Sequence, residues 1–278
     1  MGSKEVFQIL TQTLSGIYGS QEAEAIAFRI LDLAFNLGKL DFLLNKEVNL
    51  PADWQQYLNQ LAAGRPFQYV IGKEFFRDLR IGLNDATLIP RPETEELVQY
   101  VFNDLKQVTK PVRVLDIGTG SGCIPLSLKN EFPAVELVGW DISEKALQQA
   151  NVNAQHLQLL VTFQLQDIFQ WQENSEMWDM IISNPPYVLE AEKSEMLPHV
   201  VDHEPHLALF VPNEDPLKYY ITIADMAISR LNTGGKLYFE INQAYGNEVK
   251  EMLISKGFKE VEVKVDFRGK ERIVSCEV

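Results

Sequence analysis

The run Asn184-Pro185-Pro186-Tyr187 contains residue types that can hold a planar amino group. The β-branched apolar residues just before it predict a buried strand, and the two prolines predict that this strand ends here. Proline has no N–H group, so the local backbone offers carbonyl acceptors and few donors. With the Asn184 side-chain oxygen, these carbonyls can accept both N–H bonds of an NH2 group, whose flat face the Tyr187 ring can contact. The simpler alternative is a strand that stops at a Pro-Pro turn.

A glycine-rich turn follows the strand predicted over 112–117, which contains Asp116. The turn is Gly118-Thr119-Gly120-Ser121-Gly122, and it leads into a helix. Glycines at every second position allow a ligand to approach the backbone closely, because no side chain stands in the way. The spacing differs from the G-x-G-x-x-G of dinucleotide sites, which disfavours NAD. Turns of this kind also occur without any ligand.

Polar side chains end the next two predicted strands. The strand over 135–140 ends in Asp141, whose carboxylate can accept both hydroxyl groups of a ribose. The strand over 161–166 ends in Asp167-Ile168, where the carboxylate can accept from an adenine amine and the Ile168 N–H can face a ring nitrogen. A single carboxylate at a strand end is usually a cap or turn residue. Because several occur in succession, we expect one ligand site at the carboxyl ends of adjacent strands.

The chain divides into three predicted parts. A helical bundle comes first, a β-hairpin with a proline-rich linker follows, and the largest part alternates strands and helices as a doubly wound sheet does. We expect these parts at 1–67, 68–92 and 93–278. Pro92 suits the first turn of the helix that opens the third part.

The first two parts are expected to support the site rather than to carry its chemistry. Apolar residues at helical spacing predict helices over 6–17, 23–37 and 51–63. Short runs rich in aromatic and β-branched residues predict hairpin arms over 68–76 and 79–83. The hairpin and linker suit either the wall of a cleft or a stiff connector.

Composition excludes several classes of protein. The chain has 278 residues, with 25 Lys and Arg against 39 Asp and Glu, a net charge of −14. This acidic balance argues against nucleic-acid binding through a broad basic face. Cys123 and Cys276 are too far apart in sequence to indicate a disulfide framework or a zinc site. Without a signal-peptide or membrane-span pattern, we expect a cytoplasmic protein with no membrane partner.

Taken together, these residues resemble a class I S-adenosylmethionine-dependent methyltransferase that acts on planar amino or amide nitrogens. Over nearly its whole length the chain is similar to the release factor glutamine methyltransferase family. The shared motifs lie at 64–72, 89–95, 116–122, 184–187, 204–205, 208–209 and 266–272. The chain departs from the family pattern in two places: 211–217, where a glycine-rich stretch is usual, and Asn242, where glycine is usual.

The resemblance implies an α/β fold with a seven-stranded, mostly parallel Rossmann-like sheet. It implies transfer of the S-adenosylmethionine methyl group to the glutamine amide in the Gly-Gly-Gln motif of peptide chain release factors. Asn184 and Pro185 would hold the two N–H groups, Pro186 would complete the contact, and the Tyr187 ring would confine the amide and favour the cationic methyl group. The implied cofactor contacts are Asp116, Gly118, Thr119, Gly120, Ser121, Gly122, Asp141, Asp167, Ile168 and Asn184.

A histidine cluster near residue 200 invites a metal-site interpretation. His199 and His203 have the i, i+4 spacing of some zinc ligands, and His206 follows. However, Pro198 and Pro205 bracket the segment, and methyl transfer from a sulfonium needs no metal. We therefore expect a loop beside the substrate channel and no metal.

Other functions remain open at this stage. A ribosomal-protein glutamine methyltransferase is a close relative, and an adenine amino-methyltransferase uses the same tetrapeptide on a flipped base. An adenine methyltransferase would require a basic groove and a target-recognition insertion, and this acidic chain shows neither. A cofactor-binding module without catalysis is a third possibility, although the intact run 184–187 argues against it. The helical bundle is expected to recognise the release factor, and the competing view makes it a stabilising cap.

Overall fold

A seven-stranded sheet with helices on both faces forms most of the structure, a computed structural model that describes residues 1–173 and 175–278. The helices are α1 (Ser3–Tyr18), α2 (Ser20–Phe35), α3 (Lys39–Leu43), α4 (Trp54–Ala62), α5 (Phe67–Ile71), α6 (Pro92–Leu105), α7 (Cys123–Glu131), α8 (Glu144–Leu157), α9 (Pro198–His203), α10 (His206–Leu209), α11 (Lys218–Arg230) and α12 (Gly246–Ser255). The strands are β1 (Lys73–Phe76), β2 (Leu79–Gly82), β3 (Arg113–Ile117), β4 (Glu136–Asp141), β5 (Thr162–Leu165), β6 (Trp178–Ser183), β7 (Val188–Leu189), β8 (Phe210–Val211), β9 (Leu231–Glu240), β10 (Lys259–Val265) and β11 (Glu271–Glu277).

The central sheet has the strand order β10-β11-β9-β6-β3-β4-β5. Strands β9, β6, β3, β4 and β5 run parallel, and β11 pairs antiparallel with both β9 and β10. The mostly parallel, Rossmann-like sheet implied by the sequence is therefore confirmed. Because β6, β3, β4 and β5 are neighbours, their carboxyl ends lie side by side, at the edge where open α/β sheets bind ligands.

Apolar side chains cover both faces of this sheet, as its parallel strands require. Along β3, Val114 packs in the layer of α6 and α7, whereas Leu115 packs in the layer of α11 and α12. Successive side chains of a strand point to opposite faces, so Asp116 lies on the same face as Val114. The fold thus buries this carboxylate completely.

The N-terminal helices have an apolar core of their own. Helices α1, α2 and α4 correspond to the helices predicted over 6–17, 23–37 and 51–63, and α3 lies where the sequence predicts no element. Two ion pairs join α2 to the hairpin: Arg29 with Glu74 at 2.5 Å, and Arg80 with Asp32 at 3.2 Å. The core residues include Val6, Leu10, Leu14, Ala27, Ile30, Leu33 and Leu61.

The predicted first arm of the hairpin, over 68–76, is wrong in its first half. Residues 67–71 form α5, and only the four residues of β1 pair with β2. Gly72 ends the helix in the left-handed conformation, with φ of 76°. Aromatic and β-branched residues favour strands, but Phe67 and Val70 pack into the core of the helical bundle. Tertiary packing therefore overrides the strand preference of this segment.

None of the helices within residues 1–173 and 175–278 combines the length and apolar character of a membrane span. The longest, α1 and α2, have 16 residues each, whereas a crossing helix needs about 20 predominantly apolar residues.

Candidate functional site

A cavity of ≈ 230 Å³ opens at the carboxyl ends of β3, β4, β5 and β6. Three of the predicted site residues, Asp116, Gly122 and Tyr187, are not among the described residues that line this cavity. The predicted site residues that line it are Gly118, Thr119, Gly120, Ser121, Asp141, Asp167, Ile168, Asn184, Pro185 and Pro186. The parallel order of the four strands explains why residues up to 68 positions apart meet at one cavity, since 186 − 118 = 68.

The glycines of the turn after β3 have two different purposes. Gly118 and Gly120 have φ of 77° and 55°, in the left-handed region that L side chains rarely adopt. A Cβ added at Gly120 would meet no atom within 4 Å, so the backbone there is open to a ligand. A Cβ at Gly122 would lie 2.9 Å from the Phe163 ring. The third glycine is therefore required by the packing of α7 rather than by the cavity.

Asp141, at the end of β4, ties two turns of the site together. Its Oδ2 accepts a hydrogen bond from the Gly120 N–H at 2.8 Å, and its Oδ1 accepts one from the Ser143 N–H at 2.9 Å. A carboxylate offers about four lone pairs, so each oxygen can still accept a ligand hydroxyl. Burial raises the pKa of Asp141, and the backbone N–H groups of Ser143, Gly120 and Ile142 oppose that rise.

Asp116 is a buried carboxylate without a hydrogen-bond partner in the described part of the chain. Burial raises the pKa of Asp116 to about 7, and the charge of Asp141 adds to the rise. The nearby Thr119 hydroxyl offsets part of it, although its geometry falls short of a hydrogen bond. A buried anion in this state favours a cation nearby. Asp116 therefore fits a site whose ligand carries positive charge.

The end of β5 and helix α11 form an apolar slot. Asp167 accepts from the Phe169 N–H at 2.9 Å and from Gln170 Nε2 at 3.0 Å, and Ile168 is buried beside the cavity. The Phe169 and Tyr219 rings line the cavity with their centroids 5.0 Å apart. This slot suits a flat aromatic ring with an amino group at its edge. Neither aromatic residue belongs to a motif, so the sequence alone does not predict their place at the cavity.

Asn184 lies at the cavity wall immediately after β6. Its Nδ2 donates to Thr94 Oγ1 at 3.1 Å, and the Thr94 hydroxyl donates to Glu240 Oε2 at 2.7 Å. None of the hydrogen bonds of the described residues is donated to Asn184 Oδ1. That oxygen, with the backbone carbonyl of the buried Pro185, is the acceptor pair that the sequence predicts.

The structure places Tyr187 behind Asn184 rather than on the cavity wall. Its hydroxyl donates to Glu240 Oε1 at 3.0 Å, and the Arg272 guanidinium lies 5.9 Å from its ring centroid. Burial and the neighbouring Glu240 charge raise the pKa of Tyr187 well above its ordinary value. The predicted contact of the ring with the substrate amide therefore does not match this position, because the ring packs with α11 and β9 instead.

Asn242, where the family pattern has glycine, also holds the Pro-Pro loop. Its Nδ2 donates to the Tyr187 carbonyl at 3.1 Å and to Glu192 Oε2 at 3.3 Å. Its Oδ1 accepts from the Ala244 N–H at 3.0 Å. The side chain thus connects the loop after β6 to the loop after β9, and the departure from the pattern adds contacts to the site.

The linker and the histidine segment form the remaining wall of the cavity. Arg91 lines the cavity and forms an ion pair with the buried Glu204 at 2.5 Å. The Glu204 carboxylate also accepts a hydrogen bond from the Ile89 N–H at 3.3 Å. This ion pair holds the linker against the segment that follows α9. Of the two interpretations of the linker, the cleft wall therefore agrees with the structure. The other lining residues from these segments are Ala86, Leu88, Pro90, Thr94, Pro205, Leu207 and Ala208.

The histidine segment forms the short helices α9 and α10, not the predicted loop. Pro198 is the first residue of α9, and Pro205 is the N-cap residue of α10. Proline is compatible with both positions, so the two prolines begin helices here rather than exclude them. The His199 ring lies 5.5 Å from the Tyr18 ring, and the His206 ring lies 5.2 Å from that of Phe210. In residues 1–173 and 175–278, no group of three or more His, Cys, Asp or Glu is arranged to hold a metal ion.

Comparison with known proteins agrees with this geometry. The family model "Methyltransferase small domain" matches residues 97–204. A methyltransferase from Pyrococcus furiosus of known structure superposes with a TM-score of 0.50 at 18% identity, over 82% of this chain and 98% of that one. The fold and the site together define a class I S-adenosylmethionine-dependent methyltransferase.

Relatives found by sequence similarity narrow the class to one family. The release factor glutamine methyltransferase of Bacteroides thetaiotaomicron is 42% identical, over 96% of this chain and 97% of its own length. The enzyme of the same name from Flavobacterium psychrophilum is 39% identical, over 95% of this chain and 94% of its own length. The enzyme of the same name from Bacillus subtilis is 36% identical, over 80% of this chain and 78% of its own length. The chain belongs to the release factor glutamine methyltransferase family.

The residues of the cavity fit S-adenosylmethionine, the cofactor of this class. Asp141 lines the cavity and retains free lone pairs for ribose hydroxyls. Asp116 does not line it, but as an unpartnered buried carboxylate beside the lining residue Ile117 it favours a cationic molecule nearby. The open backbone at Gly120 allows a close approach. The Phe169 and Tyr219 rings pack against each other and give the cavity an aromatic wall against which a flat base can lie.

Proposed function

We propose that this protein transfers the methyl group of S-adenosylmethionine to the side-chain amide of the glutamine in the Gly-Gly-Gln motif of peptide chain release factors. The observation that carries the proposal is Asn184, which lines the cavity and donates its NH2 group to Thr94, while no described residue donates a hydrogen bond to its amide oxygen. Family membership supports the glutamine as acceptor, since relatives over nearly the whole chain are named for that activity.

The acceptor amide is held by oxygen atoms of the chain. The bound cofactor supplies an electrophilic methyl group. An amide nitrogen is a poor nucleophile because its lone pair is delocalised into the carbonyl. Asn184 Oδ1 and the Pro185 carbonyl accept its two N–H bonds, and the two prolines offer no N–H that would attract the substrate carbonyl instead. Fixing the nitrogen in this way can lower the barrier by roughly 7–11 kcal/mol in favourable cases.

The motif 184–187 contains no strong base. Residues 184–186 have no ionisable side chain, and burial and the Glu240 charge hold the pKa of Tyr187 well above its ordinary value, so that its hydroxyl stays protonated. The nitrogen becomes acidic as it gains positive charge, so its proton leaves to an oxygen acceptor or to water after the methyl group has been transferred. The chain therefore contributes by positioning the amide nitrogen and by supplying polar oxygen atoms around it.

We further propose that residues 1–67 recognise the release factor, that 68–92 connect them to the site, and that 93–278 carry catalysis. A single glutamine amide is too small to identify a protein, so selectivity must come from contacts remote from the reacting atoms. The contact of Tyr18 with His199 brings the helical bundle next to the cavity wall. We expect the intact release factor to be a far better substrate than a short Gly-Gly-Gln peptide, measured as kcat/KM.

The acceptor is tested with labelled S-adenosylmethionine and the full-length protein. We expect label in a purified release factor, and none when the glutamine of its Gly-Gly-Gln motif is replaced by alanine. Ribosomal proteins and DNA serve as parallel acceptors, and equal or better labelling of either would refute the proposal. A net charge of −14 argues against DNA as the acceptor. We also propose a cytoplasmic location, since a release factor substrate acts there in translation.

A further inference from the structure

We infer that Thr94 and Glu240 set which end of the Asn184 amide faces the substrate. These residues are positioning residues, and nothing in the motif 184–187 points to them. The inference rests on the proposed function, because it concerns how an acceptor amide is held at the cavity.

The three side chains form one hydrogen-bonded line in the interior. Thr94 is on the first turn of α6 and is 3% exposed, and Glu240 ends β9 and is 1% exposed. Asn184 Nδ2, Thr94 Oγ1 and Glu240 Oε2 are joined at 3.1 Å and 2.7 Å. With both partners so deeply buried, water cannot readily replace either hydrogen bond.

The direction of this line follows from counting protons. A threonine hydroxyl has one proton, and here it is donated to a carboxylate, which can only accept. The hydroxyl must therefore accept from Asn184, and only the NH2 end of that amide can donate. The oxygen end is left for the cavity. The two ends of an asparagine amide are nearly equal in size, so packing alone would not choose between them.

The reversed amide would defeat the acceptor site. It would present an NH2 group to the NH2 group of the substrate, and two donors cannot bond to each other. Glu240 is kept in place by Tyr187, which donates to its other carboxylate oxygen at 3.0 Å, and by the charge of Arg272. Tyr187 thus supports the acceptor site through Glu240, which accounts for its position behind the cavity wall.

Two variants at one position separate this effect from general packing. Thr94→Val keeps the volume and removes the hydroxyl, whereas Thr94→Ser keeps the hydroxyl and removes a buried methyl group. We expect Thr94→Val to lower the single-turnover rate of methyl transfer about 10-fold, the equivalent of one lost hydrogen bond. Thr94→Ser should retain most of the wild-type rate while melting at a lower temperature. S-adenosylmethionine affinity, measured by calorimetry in all three proteins, should change far less than the rate of methyl transfer.

A purely structural role predicts the opposite order, with the serine variant the slower one. A valine variant that reacts at the wild-type rate, while the wild type methylates the release factor, would overturn this inference and leave the proposed function intact. If the wild type prefers another amide acceptor, the proposed function fails, and the rates of both variants on that acceptor still decide the inference.

Hydrogen exchange tests the inference without any methyl-accepting substrate. The Asn184 side-chain amide protons, followed by NMR, should exchange slowly in the wild type and in Thr94→Ser. In Thr94→Val they lose their acceptor and should exchange faster. Equal exchange rates in all three proteins would overturn the inference whatever the acceptor is.

Discussion

Replacing Asp116 by asparagine is expected to stabilise the protein without cofactor and to weaken its binding of S-adenosylmethionine. The pKa of Asp116 is raised by burial to about 7, against an ordinary value near 3.9 in the unfolded chain. Below about pH 4 both states are protonated and the group does not favour unfolding. As the pH rises to about 7, the unfolded state loses the proton first, so stability falls through this window.

The size of the effect follows from the same shift. The difference of about three pKa units corresponds to roughly 4 kcal/mol, at about 1.4 kcal/mol per unit. The asparagine amide keeps a buried group without a partner, which costs about 1–3 kcal/mol. We therefore expect a net gain of about 2 kcal/mol near pH 8, or a rise of roughly 4–8 °C in Tm. The affinity for S-adenosylmethionine should also fall, because the variant removes a negative charge buried next to the cavity.

The assay is thermal unfolding of both proteins without cofactor between about pH 5 and 8, with calorimetric titration of S-adenosylmethionine at the upper end of that range. The stability difference should grow with pH and level off above the pKa of Asp116. A difference that is independent of pH would refute the argument from burial. Unchanged affinity in the folded variant would remove Asp116 from the cofactor site.

Two further predictions concern the loops of the site. Asp141→Ala should weaken S-adenosylmethionine binding by about 1.5–3 kcal/mol, and calorimetry showing wild-type affinity in a folded variant would contradict its assignment to the ribose. Asn242→Gly restores the family's usual residue but removes the hydrogen bond to the Tyr187 carbonyl. We expect it to lower the free energy of unfolding by about 1–2 kcal/mol in denaturant titration, with S-adenosylmethionine affinity unchanged, and a variant as stable as the wild type would show that the bond contributes nothing.

The parts of the site that the sequence predicts share a local signal. A strand that ends in a carboxylate, a glycine turn or a Pro-Pro run is visible in a few consecutive residues. Parallel strands place all such ends on one edge, so Gly118, Asp141, Asp167 and Asn184 meet without any long-range information. Their presence at one cavity is a consequence of strand direction, which the alternation of strands and helices already predicts.

The parts that the sequence does not predict depend on contacts between distant segments. Thr94 and Glu240 are 146 positions apart and meet only because α6 packs across the end of β9. Tyr219 reaches the cavity from α11, and α11 carries no motif at that position. The helix at 67–71 replaces a strand because the bundle core buries its apolar side chains.

The most direct test of the account locates the methyl group on a purified release factor by mass spectrometry. Wild-type protein and Asn184→Ala are each incubated with S-adenosylmethionine and the same release factor, after calorimetry has compared their cofactor affinities. We expect methylation of the Gly-Gly-Gln glutamine by the wild type and very little by the variant, whose cofactor affinity should change far less than its rate. Methylation at another residue, or equal methylation of that glutamine by the folded variant, would contradict it.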